Sequence, residues 1–159
     1  MRVVFYGNQV AGMVALLTVM AERHTVLEVW QDKGYGLPGP FPCVKALTDG
    51  IKPPEADALL CVHGRLVVSD RVLDQFPRGG VNLHPFLDQF PGADPVSRAV
   101  EAGVTEASVW AHRMTGEVDK GEVLAVARAP MPENPTVERV YNVLYPLYAE
   151  VALEALERC

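Results

Sequence analysis

The chain has 159 residues, of which 49% are hydrophobic and 21% charged, with a net charge of -6. This is enough chain for one substantial core, and the 13 Pro and 13 Gly scatter between apolar runs, which argues against disorder. The acidic balance and the lack of a Lys/Arg cluster argue against a nucleic-acid footprint. Cys43, Cys61 and Cys159, an odd number without CxxC spacing, argue against a disulfide framework or a zinc site and for a reducing cytoplasm.

Arg2 precedes a largely apolar stretch, but Gly7-Asn8-Gln9 divides it into a buried strand, Val3–Tyr6, and a helix, Ala11–Ala21. A signal peptide needs a continuous apolar core, so none is expected. Nothing else approaches the ~18 apolar residues of a membrane span. Val26–Trp30 reads as a second strand. Residues 31–42, with Gly34, Gly36, Pro38, Gly39, Pro40 and Pro42, read as a loop without room for a full helix. Ala56–Val62 is a third strand, preceded by Pro53-Pro54, with Cys61 as a small buried hydrophobe. Asp70–Gln75 reads as a short helix turning Val72 and Leu73 inward, and Gly80–His84 as the next strand.

Pro91-Gly92 marks another loop, and Pro95 opens a helix through Ala102, where its missing N–H costs little. Ser108–Met114 and Glu122–Ala127 read as strands joined by a Gly116–Gly121 connection that carries Asp119. Over Thr136–Arg158, the spacing of Val137, Val140, Val143, Leu144, Leu147 and Val151 predicts a helix packed on the core. Pro146 is expected to kink or break it. The β-α-β opening and the further alternation predict a single α/β domain over residues 1–159. Its expected architecture is a Rossmann-like, open, twisted, mostly parallel sheet flanked by helices.

Asn82-Leu83-His84-Pro85 and Asp119-Lys120-Gly121 carry the chemistry. Asn and His two apart on a strand share a face. An amide, an imidazole and a carboxylate are the groups needed to stabilise an oxyanion and move one proton near neutral pH. The alternative is a polar strand end before a Pro turn and an unrelated turn Asp. Gly7-Asn8-Gln9 lies between a strand and a helix, where N-terminal amides can bind an anion, or it is a purely structural turn. Among the other histidines, His24 reads as a surface residue, His63 as a loop residue, and His112 as structural or pocket-lining. Trp110 and Tyr141 are expected to pack.

The run from Gly80 to Leu124 resembles the folate-dependent formyltransferases. Their pattern is matched by Asn82, His84 and Pro85, then Gly92, Pro95, Ala99 and Gly103, then Val109, His112 and Met114, and finally Asp119 and Gly121. A weaker likeness covers the opening strand-turn-helix and Gly64-Arg65-Leu66-Val67. Three features depart from the pattern. Phe86 replaces the usual Ser within the altered loop Leu87–Gly92, Ala107-Ser108-Val109-Trp110 is bulkier than usual, and the region between the second and third strands is shortened, losing a helix.

The resemblance implies the formyltransferase fold and 10-formyltetrahydrofolate as formyl donor. Asn82 and His84 would hold the formyl oxygen, and Asp119 would keep His84 oriented and charged and relay the amine proton through a water. The pterin would lie against Gly64, Arg65, Leu66 and Val67 on one side and Met114, Gly116 and Val118 on the other, with Arg65 reaching a folate carboxylate. The acceptor would meet Gly7, Asn8 and Gln9, and Phe86 and Trp110 would narrow its pocket. No metal is implied.

The implied function is N-formyl transfer to a small-molecule amine, with an amino sugar or sugar nucleotide as the acceptor class. The alternatives are hydrolysis of 10-formyltetrahydrofolate and a non-catalytic folate- or nucleotide-binding module. With no further domain expected after the closing helix, tRNA is a poor candidate acceptor. Neither a nucleic-acid nor a membrane partner is expected, and a homo-oligomer is left open.

Overall fold

The computed structural model describes residues 1–37, 41 and 44–159. In chain order the elements are β1 (Arg2–Gly7), α1 (Gln9–Ala21), β2 (Thr25–Gln31), β3 (Val44–Ala46), β4 (Ala58–Val62), α2 (Asp70–Leu73), β5 (Gly80–Pro85), α3 (Pro95–Ala102), β6 (Glu106–Arg113), β7 (Val123–Pro130) and α4 (Val137–Arg158). Among the described residues they build one seven-stranded sheet in the order β3-β2-β1-β4-β5-β6-β7. β3, β2, β1, β4 and β5 run parallel. β6 and β7 are added antiparallel at one edge. The sheet is therefore α/β and mostly parallel.

Period-2 alternation sorts the strands onto two faces. Val3 and Phe5 of β1, Leu60 and Val62 of β4, and Val81 and Leu83 of β5 pack with α1, α3 and α4. Val4, Tyr6, Leu59 and Cys61 point the other way, toward Trp30, Val72, Leu73 and Phe76. This parity decides the site. With Val81 and Leu83 committed to one core, Asn82 and His84 face the opposite side of the sheet, on the face carrying Cys61. α1 contains no charged residue and buries Ala11, Gly12, Ala15, Leu16 and Val19.

α4 is one helix of 22 residues through Pro146, where a kink or a break was expected, and it does not break. Its buried stripe continues on both sides of the proline, with Val140 and Leu144 before it and Leu147, Tyr148 and Val151 after it. Apolar burial of that extent outweighs the one hydrogen bond that proline removes. At the other end of the sheet, residues 44–46 form a short strand against β2, after the segment read as a loop. Pro38, Gly39, Pro40, Pro42 and Cys43 lie outside the described residues. Among the described residues there is no helix between β2 and β4, and none long and apolar enough to cross a membrane.

The chain leaves β1 for β2 on one side, whereas β4 joins β1 on the other. Open α/β sheets bind ligands at such a reversal, beyond the carboxyl ends of the strands. Asn8, His63 and the Asn82/His84 pair all lie at those ends.

Candidate active site

A cleft of about 560 Å³ opens there, lined among others by His63, Asn82, His84, His112 and Asp119. Asn82 and His84 come from β5. The antiparallel ladder sets His112 of β6 opposite Asn82 and Trp110 opposite His84. Asp119 arrives from the β6–β7 connection with a left-handed backbone, φ 59°. Gly121 makes that turn workable, because a Cβ there would lie 1.8 Å from the Arg113 carbonyl oxygen. Only glycine lets the connection close so tightly on β6.

The polar contacts converge. Asp119 Oδ2 accepts the Gly92 amide at 2.9 Å and lies 3.6 Å from His84 Nε2. Asp119 Oδ1 lies 3.5 Å from His112 Nε2, and that same nitrogen stands 3.1 Å from Asn82 Nδ2. The shorter Asn82 contact is the better hydrogen bond, and His112 Nε2 cannot serve Asp119 as a donor while it accepts from Asn82. His112 Nδ1 donates to the Arg113 carbonyl at 3.0 Å, leaving Nε2 to accept one Asn82 N–H. The second Asn82 N–H is then available to a ligand oxygen. With His112 Nε2 accepting from Asn82, it is the His84 charge and the Gly92 amide that hold the Asp119 carboxyl below its ordinary range, against the opposing effect of burial.

Both ring nitrogens of His84 face carbonyl oxygens, Pro85 O at 2.8 Å from Nδ1 and Gly92 O at 3.0 Å from Nε2. Carbonyls only accept, so the doubly protonated ring satisfies both contacts. Asp119 supplies the counter-charge. A cationic donor beside a neutral amide donor is an arrangement that stabilises a developing oxyanion.

His63 forms another wall of the cleft. It follows β4 with φ 57°, and its Nε2 is 2.8 Å from the hydroxyl of the fully buried Tyr148. Burial, helped by the charge of His84, pushes the His63 imidazole down to about 4, so it is neutral near pH 7.

The segments expected to meet the pterin flank the same cleft. Gly64, Arg65, Leu66 and Val67 line one side, and Met114 and Val118 the other. Leu66, Val67 and Val118 are 52%, 67% and 58% exposed, giving an apolar rim. Gly116 is not on the lining, and its backbone sits against the Asp70 carboxylate instead. The Arg65 guanidinium lies 4.2 Å from the centre of the Tyr35 ring.

The acceptor residues are mostly redistributed. Gln9 lines the cleft. Gly7 is buried in the β1–β4 ladder. Asn8 is 2% exposed, and its amide donates to Asp32 Oδ2 at 2.8 Å, so it cannot offer that donor to a substrate. Phe86 is fully buried in the core with α3 and α4, because its left-handed backbone (φ 53°) turns the ring off the Asn82/His84 face. It therefore cannot touch an acceptor. Trp110 lies off the cleft lining, donating to Ser108 Oγ at 3.0 Å with the Arg128 guanidinium 4.9 Å from its ring centre. It backs His84 across the ladder. Sequence reasoning gave little weight to His112 and passed over Asp32. The partner of His112 is visible only once the β5–β6 register is known, and Asp32 looked like one more polar loop residue.

Comparison with known proteins matches residues 21–156 to the formyl transferase family model. Methionyl-tRNA formyltransferase from Chromohalobacter salexigens is 29% identical over 99% of this chain and 56% of its own length. The Thermus thermophilus methionyl-tRNA formyltransferase is 32% identical over 99% of this chain and 59% of its own length. The chain thus spans somewhat more than half the length of these relatives. Among solved structures, glycinamide ribonucleotide transformylase 1 from Symbiobacterium toebii has a TM-score of 0.77 at 20% identity, over 98% of this chain and 85% of that one. Phosphoribosylglycinamide formyltransferase from Bacillus halodurans has a TM-score of 0.73 at 20% identity, over 98% and 95%. The family model spans most of the chain, and the chain belongs to the formyl transferase family.

Proposed function

We propose that this chain is the catalytic domain of a cytoplasmic N-formyltransferase that moves a formyl group from 10-formyltetrahydrofolate to the amine of a small molecule, with an amino sugar or sugar nucleotide as the acceptor class. The observation that carries this reading is the convergence of Asn82, His84, His112 and Asp119 in one cleft. The walls suit a folate. Leu66, Val67, Met114 and Val118 offer apolar surface beside the backbone of two loops, as a flat heteroaromatic with polar edges requires.

The bound donor supplies a formyl carbon that an amine can attack. Asn82, through its second N–H, and His84, through Nε2–H, hold the charge that grows on the formyl oxygen. Gly92 O shares the His84 proton in this conformation, so that contact lengthens as the oxyanion forms. Asp119 keeps the imidazolium paired and, through a water, takes the proton lost by the attacking amine. As the adduct collapses, the bond from the formyl carbon to folate N10 breaks, that proton passes to N10, and tetrahydrofolate leaves. His112 fixes the Asn82 amide.

The test is incubation of the protein with 10-formyltetrahydrofolate and a panel of amino sugars, sugar nucleotides and methionyl-tRNA, followed by mass spectrometry. A formylated sugar amine supports the full reading, and a formylated methionyl-tRNA overturns the acceptor class. Formate alone would replace transfer with hydrolysis, and folate binding without turnover would leave a non-catalytic module.

A further inference from the structure

Away from the reacting groups, the most heavily bonded buried side chain is Asp32. It follows β2 directly and is 6% exposed. Its Oδ1 accepts the Tyr6 hydroxyl at 2.5 Å, and its Oδ2 accepts the Asn8 amide at 2.8 Å and the Arg65 backbone N–H at 3.0 Å. The Tyr6 hydroxyl in turn accepts the Leu66 backbone N–H at 2.9 Å. Two consecutive amides of the cleft wall are therefore held by one carboxylate–phenol unit.

The neighbouring contacts reinforce the tie. Tyr35 N–H donates to the Asp32 carbonyl at 3.0 Å, closing the turn whose Tyr35 ring lies under the Arg65 guanidinium. A Cβ on Gly64 would lie 2.3 Å from the Tyr6 ring, so the loop rests directly on that side chain.

Among the described residues no Lys, Arg or His pairs with Asp32. A buried carboxylate without a cation is costly and is tolerated only when neutral donors satisfy it. Here the donors come from β1, the start of α1 and the loop after β4. What they fix is the loop after β4, a stretch of cleft wall with no strand or helix of its own.

We propose that Asp32, acting with Tyr6, is a positioning residue for the formyl donor: it holds Gly64–Val67 in the conformation that receives the pterin. This rests on the functional reading above. Asp32→Asn replaces one of the two acceptor oxygens with an NH₂, so either the Tyr6 hydroxyl or the Asn8 and Arg65 donors lose their acceptor. Tyr6→Phe removes the contacts to Leu66 and to Asp32 Oδ1 without changing the formal charge.

The experiment measures tetrahydrofolate binding by calorimetry and amide hydrogen exchange for wild type, Asp32→Asn and Tyr6→Phe, with the thermal midpoint as a folding check. Each variant is expected to weaken folate binding about tenfold, the effect of losing one to two net hydrogen bonds. Exchange should accelerate at the Arg65 and Leu66 amides and stay slow at Leu83 in β5. In turnover assays the donor KM should rise far more than kcat falls. A folded variant that binds folate as tightly as wild type overturns this inference alone, and Tyr6→Phe decides the matter if Asp32→Asn does not fold. Wild-type protein that binds no folate overturns the functional reading and this inference with it.

Discussion

Asn82 and His112 face each other across the β5–β6 ladder with Nδ2 and Nε2 3.1 Å apart. The contact orients an amide that would otherwise rotate freely, and it leaves one N–H for a substrate. His112→Ala should therefore lower kcat about tenfold or more while the donor KM changes little. Steady-state kinetics at saturating folate checks this. A KM effect with unchanged kcat would instead make His112 part of the folate wall.

Asp119 Oδ2 is shared between the Gly92 amide and the approach to His84 Nε2. Asp119→Asn keeps the size but removes the negative charge beside the imidazolium. The expected result is a loss of about 100-fold or more in kcat, in the range of removing an oxyanion-hole donor. The Gly92 contact can persist through the amide oxygen, so the thermal midpoint should shift by only a few degrees. Paired kinetics and thermal unfolding separate the two effects.

Stability should fall in acid in two steps. His63 is lowered from its ordinary 6.5 to about 4. Between these values the unfolded chain takes up a proton that the folded chain refuses, so stability declines as pH falls from 6.5 toward 4, by up to about 3 kcal/mol. Asp119 lies below its ordinary 3.8, so its contribution is present above 3.8 and lost below it. The His63→Gln variant should lose most of the upper step and retain the lower one. The smaller downward shift at His24 leaves a remnant of the upper step. Urea midpoints from pH 7 down to pH 4 measure the upper step, and their continuation to about pH 2 measures the lower one.

Phe86 is buried in the core that includes Val96 and Ala99 of α3, with no exposed surface. Phe86→Ser should be destabilising by about 3–5 kcal/mol, the range for emptying a buried aromatic site. It should not improve acceptor use, because the ring lies off the cleft. Denaturant unfolding and the amine panel report the two outcomes.

The sequence made the Asn82/His84 pair legible because period 2 is local and Val81 and Leu83 advertise which face is core. Asp119 was recognisable only through its spacing to Gly121. The reason for that glycine, a backbone approach to Arg113, becomes visible only in three dimensions. The directions of Phe86 and Asn8 could not be read. A left-handed φ turns one into the core, and the other serves a carboxylate 24 residues away in sequence. Asp32 was hidden because its three donors, Tyr6, Asn8 and Arg65, lie 24 to 33 residues away in the chain. Pro146 was a fair local warning that the buried stripe of α4 overrides.

Formation of a formylated amine from 10-formyltetrahydrofolate, compared between wild type and Asn82→Ala at equal folded concentration, tests the catalytic role of the cleft most directly. Wild type should form the product, and the variant should be slower by about 100-fold or more with an unchanged fold. No product from wild type with any amine, or equal rates in the two proteins, would contradict it.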